Sequence, residues 1–483
     1  MGYIAIDLGT TNIKVCCYDT DISPLSLKRV KVKYSGTGGI VEFDADEYFT
    51  LVLQAMKECA AEAFGGSREK HYIILTGQAE ALVITDEAYS PAANAISWMD
   101  TRSSREVAII EEHFPQQQRY EITGQSYVAE TFPITKLLWM QSKAPELTGS
   151  KVRYLMIKDY IAYRLCGVAA GEYSIYNFTH YFDINQKAYW DEILDFCGVS
   201  PASLPKLVEP CTELGTIRKQ VADQLNISDK SLVNCGTLDH FAGMIGTGNI
   251  MQDKVSESTG TVLAIAAMAE HFTTNKSMIP CHYGPFPNSY VYLAVCESGG
   301  ICLDWFKSHF AKDKSFRQLD ELASQRQIDE NLIFLPYING VNSPEFDKNA
   351  NGVFYGLKVE HDEVNLAAAV MEGVAFLLNK NIIALRDLDV YPSEVISSGG
   401  GAKSDYWNQL KADITGVPVT IPENAEAALF GAAIIGAVAS GQISNYKQAA
   451  DLIKVGRKFY PHKNEVLQRK RQLFDDIYER LFR

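Results

Sequence analysis

Hydrophobic and polar positions along this chain follow two periods, and the order in which they change predicts its elements. Tyr3 to Leu8 is a nearly continuous apolar run, the pattern of a buried strand. A polar turn, Gly9-Thr10-Thr11, separates it from a second strand, Ile13 to Tyr18. Residues 27–34, LKRVKVKY, alternate and predict a third strand. Between Asp46 and Phe64 the period lengthens. Phe49, Val52, Leu53, Met56 and Ala60 recur at helical spacing, which predicts an amphipathic helix. Tyr72 to Leu75 predicts a buried strand ending at Thr76-Gly77-Gln78, and helices are expected near 101–113 and 151–165.

The second half repeats this plan. Val255 to Ala267 reads as strand, turn, strand, with Ser258-Thr259-Gly260-Thr261 at the turn. Residues 362–387 predict a long apolar helix. Val395 to Ser398 is a short strand running into Gly399-Gly400-Gly401, and a helix from Ser404 to Thr415 follows with Ser404 as its N-cap. The last turns of chain predict a charged surface helix. Two halves, each opening on a strand pair with a Gly-Thr turn, predict an α/β chain of two similar domains with a ligand between them. Gly246-Thr247-Gly248-Asn249 ends an apolar stretch, so the expected domains are 1–248 and 249–483.

Length and composition agree with two cores: 483 residues, 47% hydrophobic and 22% charged. The formal net charge of -14 repels phosphate backbones and anionic bilayers, so neither nucleic acid nor a membrane is an expected partner. An anionic ligand would have to be met locally, by backbone N–H groups, helix N-termini and a metal ion. Ten cysteines lie singly apart from Cys16-Cys17, whose side chains should point to opposite faces of a strand. Reduced thiols in a cytoplasmic protein are expected. Asp7 in the first strand argues against a signal peptide, and no apolar run is expected to reach a membrane span. The stretch Ala425 to Gly441 is expected to be a core helix of small residues.

Five segments could carry chemistry. In Asp7-Leu8-Gly9-Thr10-Thr11-Asn12-Ile13-Lys14, a tight hairpin can turn N–H groups and hydroxyls towards an anion. Asp7, buried, would want a compensating cation such as hydrated Mg²⁺; a plain turn capped by Asp7 is the structural alternative. Glu257-Ser258-Thr259-Gly260-Thr261 can act on the other side of the same ligand, though such clusters are usually only turns. Ser398-Gly399-Gly400-Gly401-Ala402-Lys403-Ser404 lets a nucleotide approach the backbone ahead of a helix. Asp239, in Gly236-Thr237-Leu238-Asp239-His240, opens a helix-like run near the domain boundary, where a substrate cleft would lie; alone it would read as a helix cap. Gln78-Ala79-Glu80 with Trp98-Met99-Asp100-Thr101-Arg102 offers hydroxyl readers beside a ring that can stack on a sugar.

Taken in order, these segments resemble the FGGY carbohydrate kinase family, the sugar and polyol kinases that include xylulose and glycerol kinases. The resemblance runs from Asp7 to about Gly441 and includes the Ile96 to Arg102 segment, Gly299-Gly300 with Trp305, and Asp413 to Val419. It implies two actin-like, ribonuclease H-like ATPase domains with a ligand cleft between them. It implies ATP and Mg²⁺, and transfer of phosphate to a small sugar or polyol, a ketopentose such as xylulose or ribulose. By resemblance, Asp239 is the general base. Thr10, Thr11 and Lys14 with Gly9 form the first phosphate loop, and Thr259, Gly260 and Thr261 the second. Gly300 and Asp304 lie near the nucleotide, Gly400, Gly401, Ala402 and Asp405 bind adenosine, and Asp7 with Asp239 serves the metal. Gln78, Ala79, Glu80, Trp98, Asp239 and His240 would meet the substrate. A homodimer is a family-level expectation.

The chain departs from the family in its substrate-reading positions. Xylulose kinases usually read GQMHG where this chain has Gly77-Gln78-Ala79-Glu80-Ala81. Glu80 resembles a glutamate of glycerol kinases, but the arginine before it is Ala79 here. The usual G-E-R-x-P is Gly340-Val341-Asn342-Ser343-Pro344, and the usual T-D-x-S is Gly171-Glu172-Tyr173-Ser174. These changes leave a catalytically idle sugar-binding or regulatory member as the alternative.

Overall fold

The computed structural model describes residues 1–424 and 426–483. The first sheet has six strands: β1 (Tyr3–Leu8), β2 (Asn12–Tyr18), β3 (Pro24–Lys31), β4 (Tyr72–Gly77), β5 (Glu213–Thr216) and β6 (Leu232–Leu238). They lie in the order β5-β6-β4-β1-β2-β3. β1 is antiparallel to β2 but parallel to β4, and β4 is parallel to β6. Every residue of β1 and β4 is buried, which is why both read as unbroken apolar runs rather than alternation.

The second sheet has seven strands: β7 (Lys254–Thr259), β8 (Leu263–Ala269), β9 (Cys281–Tyr283), β10 (Tyr290–Cys296), β11 (Glu394–Gly399), β12 (Val419–Pro422) and β13 (Val455–Phe459). Their order is β9-β10-β8-β7-β11-β12-β13. The run β10-β8-β7-β11-β12 matches β3-β2-β1-β4-β6 strand for strand and direction for direction. Each half adds an antiparallel edge strand beyond that run, β5 and β13. The repeated plan read from the sequence is thus a repeated topology.

The helices that position the site are α1 (Ala45–Phe64), α2 (Ile157–Cys166), α3 (Asp239–Thr247), α4 (Ile301–Phe310), α5 (Glu363–Arg386), α6 (Asp405–Thr415), α7 (Ala427–Ala439) and α8 (Glu465–Phe482). The Asp44 carboxylate caps α1 by accepting from the N–H groups of Asp46 and Glu47, and Gly65, left-handed at φ 60°, ends it. Ser404 caps α6 as expected, its hydroxyl accepting from Trp407 N at 2.9 Å.

The halves meet where α3 and α7 cross. A Cβ on Gly246 would lie 2.0 Å from Ala427 O, and one on Gly431 would lie 1.8 Å from Ala242 O, so glycine alone allows this approach. α7 lies within the second half in sequence, between β12 and β13, yet covers the first sheet: Leu429, Ala432, Ala433 and Ile435 share a core with Tyr3, Ala5 and Ile74. The expected small-residue core helix is therefore present as α7; Ala425, where it was expected to begin, lies outside the described residues.

Three expectations need correction. Residues 151–165 are not one helix: Arg153–Met156 is a strand paired with Leu82–Thr85, and α2 begins only at Ile157. The cross-strand partner decides, since a short apolar run is locally ambiguous. α5 is long and apolar enough to cross a membrane, with hydropathy 1.4, contrary to the expectation that no run is; 83% of that window is buried inside the protein, as a core helix would be. α8 is not purely a surface helix, because Leu467, Phe474, Ile477 and Tyr478 are buried. All ten cysteines are free, and Cys16 and Cys17 enter different cores on opposite faces of β2.

Candidate active site

The first Gly-Thr turn joins β1 to β2. A Cβ on Gly9 would stand 2.6 Å from Asn12 O, so the turn needs glycine there. Two phenols hold its carbonyls: Tyr48 Oη donates to Gly9 O at 3.1 Å and Tyr34 Oη to Thr10 O at 2.9 Å. Thr10 Oγ1 donates to Gln78 Oε1 at 3.2 Å and accepts from Trp98 Nε1 at 2.8 Å. The first and fifth sequence segments are thus one site, with the Trp98 ring partly exposed beside the turn. Asp100 and Arg102 of that segment instead form an internal ion pair that also takes in Glu42.

Asp7 is the penultimate residue of β1 and is 7% exposed. Its Oδ1 has no partner, and its Oδ2 is 3.6 Å from Lys14 Nζ. Burial, and then the charge of Asp239, push Asp7 up to about 7, against the pull of Lys14. Lys14 also contacts Glu426 Oε2 at 2.9 Å, and Arg29 reaches Glu426 Oε1 at 2.7 Å, so the first hairpin touches the start of α7.

Asp239 is the first residue of α3, and its Oδ1 accepts from His240 N at 2.6 Å. Burial raises its carboxyl, opposed by that N–H, by the His240 ring, and by Lys158 and Lys14. His240 Nε2 is buried without a partner. Two carboxylates in mutual range, one with an orphaned oxygen, suit a hydrated divalent cation, which takes one or two carboxylates and completes its shell with water and phosphate oxygens. Among the described residues no three His, Cys, Asp or Glu side chains converge on a metal position, so any such ion would borrow the rest of its shell.

The second turn, between β7 and β8, is closed onto α4: Gly300 N donates to Gly260 O at 2.7 Å and Ile301 N to Thr261 O at 3.1 Å. Beside it opens a cavity of about 660 Å³, the size of a nucleotide-scale pocket. Its walls include Thr259, Gly260, Thr261, Gly300 and Asp304, together with Gly400 and Gly401, all expected from the sequence. Apolar walls come from Leu303, Phe316, Met371 and Trp407, which no local signal marked. A Cβ on Gly401 would approach Thr259 Cβ to 2.7 Å, so two of the glycine segments close on each other here. Thr259 Oγ1 donates to Glu257 Oε2 at 2.7 Å, and Glu257 is paired at 2.6 Å with Lys411, both fully buried. Ala402 and Asp405 are not among its walls; both contact Arg457, Ala402 through its carbonyl at 2.7 Å. Thr10 and Thr11 stand on the other half and form none of its walls.

Ala79 packs against the core, and Glu80 holds φ 68°, a strained conformation for a side chain of its size. Glu80 faces Lys136, whose Nζ donates to Thr131 O at 2.6 Å and Glu130 O at 3.2 Å. Burial pushes the Glu80 carboxyl up and the Lys136 ammonium down, each opposed by the other's charge. A small second cavity is lined by Tyr127, Phe178, His282 and Asn342. Asn342 donates to Glu297 Oε1 at 2.6 Å.

Comparison with known proteins agrees with this geometry. The N-terminal domain model of the FGGY family of carbohydrate kinases matches residues 2–246, and the C-terminal domain model matches 258–440. A xylulose kinase of Bacillus subtilis is 30% identical over 491 residues, covering 99% of this chain and 96% of that protein. A gluconokinase of Bacillus licheniformis is 25% identical, covering 97% and 93%. The crystal structure of a xylulose kinase from Rhodospirillum rubrum shares the fold, with TM-score 0.92, 22% identity and coverage of 100% and 99%. With both domain models matched in order on two sheets of the same topology, this chain belongs to the FGGY family of carbohydrate kinases and is a sugar kinase.

Proposed function

We propose that this kinase transfers the γ-phosphoryl group of ATP to a hydroxyl of a small neutral sugar, a ketopentose such as xylulose or ribulose, with Asp239 as the general base. Residues 1–248 supply the sugar side and the first phosphate loop, and 249–483 supply the nucleotide side. The observation that carries the reading is the placement of Asp239: a half-buried carboxylate at a helix N-terminus, in electrostatic range of Asp7, beside the unpartnered His240 Nε2.

Phosphoryl transfer passes through a loose transition state, so positioning and charge neutralisation do most of the work. Asp239 orients the acceptor hydroxyl and takes its proton late. Thr10 and Thr11 face the phosphates from one half, and Thr259, Gly260 and Thr261 from the other. Lys14 neutralises charge that develops between them. Asp7 and Asp239 would hold a hydrated Mg²⁺, which screens phosphate charge when bound. Trp98, fixed by Thr10, offers a face for the sugar. Asp239 and Glu80 offer acceptors to sugar hydroxyls, and a neutral sugar adds no further negative charge beside Asp239, which favours a neutral acceptor over a hexonate. The free cysteines suit a reducing cytoplasm.

Coupled ADP release with MgATP across ketopentoses, 6-deoxy sugars, hexonates, tetritols and glycerol tests the reading. One neutral sugar should give a strong signal, and Asp239→Asn should lower turnover by roughly 10²–10⁴ with sugar binding kept. An Asp239→Asn enzyme with near wild-type turnover would remove Asp239 as the base, and a preference for hexonates would overturn the neutral-acceptor assignment.

A further inference from the structure

We propose that the buried pair Lys158–Glu172 is a positioning device for Asp239, fixing the strand-to-helix junction that aims its carboxylate. The proposal rests on the reading of Asp239 as the base. Lys158 sits at the start of α2 and Glu172 on a short strand after it; the two are 2.7 Å apart, with side chains 1% and 0% exposed. Lys158 lies in none of the segments that mark the site in sequence, and Glu172 enters there only through the departure Gly171-Glu172-Tyr173-Ser174.

The connections from this pair end on the residues just before Asp239. Lys158 Nζ donates to Cys235 O at 2.9 Å. Glu172 Oε1 accepts from Ser174 Oγ at 2.9 Å, and Oε2 accepts from Ser174 N at 2.7 Å. Ser174 Oγ in turn shares a hydrogen bond with Thr237 Oγ1 at 2.8 Å and accepts from Leu238 N at 3.1 Å. Thr237 O is held from the opposite strand by Thr76 Oγ1 at 2.9 Å. Cys235, Thr237 and Leu238 are thus tied, and Asp239 is the next residue. α3 has no side-chain cap of its own. The network does what a cap would do, one residue upstream.

A buried ion pair is a poor way to stabilise a core, because desolvating both charges offsets their attraction. Ending on the backbone that carries Asp239 gives this pair a second role.

The test measures ADP release from MgATP with D-xylulose, D-ribulose, glycerol and D-gluconate in turn, using the fastest acceptor, for Lys158→Met, Lys158→Arg, Ser174→Ala and Asp239→Asn. Lys158→Met should lower kcat by on the order of 10² with the KM for ATP unchanged. Lys158→Arg, which keeps the cation and a donor for Cys235 O, should restore most of that kcat, a rescue that a merely space-filling role would not show. Ser174→Ala removes one link and no charge; it should lower kcat about tenfold with the KM for ATP unchanged. If Lys158→Met does not fold, Ser174→Ala decides. A folded variant with wild-type kcat, beside an inactive Asp239→Asn, would overturn the positioning role and leave the base assignment standing. An active Asp239→Asn would overturn both.

Discussion

Glu80 is the residue at which the proposed reading of the sugar side is most directly tested. Its backbone is held at φ 68° and its carboxylate faces Lys136 rather than a salt-bridge partner within reach. Glu80→Gln should raise the KM for the sugar on the order of tenfold and leave the KM for ATP unchanged, because one charge-assisted hydrogen bond is lost on one side of the cleft only. Steady-state titration of each substrate checks it, and an equal rise in both would exclude Glu80 from the sugar pocket. Buried histidines make a second case. Burial depresses His71 to about 4, and neither of its ring nitrogens has a side-chain partner. Its folded pKa lies below its unfolded value near 6.5, so the unfolded chain binds the extra proton in the window between them. Stability should be fully present above about pH 6.5 and fall towards pH 4. His71→Phe, which keeps the stack on Phe64, should flatten that slope in urea titrations at several pH values. Asp7, Thr10 and Trp98 were legible in the sequence because glycine, hydroxyl and aromatic residues cluster there locally. Lys136 and Lys158 were not, because what marks them is burial beside a partner that only the folded chain supplies.

Among the elements, β1, β2, α1 and β7 follow their patterns because one face, or both, meets a core. The segment 151–165 does not, since pairing of Arg153–Met156 with Leu82–Thr85 overrides the local helical reading. The boundary of α7 is a further instance: its apolar run is plain in sequence, but the sheet it covers is not the one its position suggests. Gly431→Ala should therefore destabilise the protein by about 1–3 kcal/mol, since its methyl must displace the Ala242 carbonyl or the whole helix. Thermal unfolding gives the answer, and an unchanged Tm would mean that α3 and α7 move apart freely. Lys411→Met, which strands Glu257 in the core beneath the second turn, should cost about 3–5 kcal/mol.

At the scale of the molecule, two sheets share one topology, and that much was legible because the Gly-Thr turns recur at equivalent places. Hidden from the sequence was the exchange of elements: α7 crosses to the first half, and Glu426 at its start holds Lys14 and Arg29. These are partly exposed pairs, individually weak. Glu426→Gln should nevertheless loosen the ligand-free molecule, read as a larger radius of gyration in solution scattering at low salt; an unchanged radius would show that the pairs do not restrain the halves. The crossing also has a bearing on how the chain is made. During synthesis the first sheet is finished long before α7 leaves the ribosome, so Tyr3, Ala5 and Ile74 lack that cover while β7 to β12 are translated. That face is a sticky intermediate surface by design of the chain order, and the nascent protein is most exposed to aggregation, and most in need of a chaperone, in the interval just before its final helices emerge.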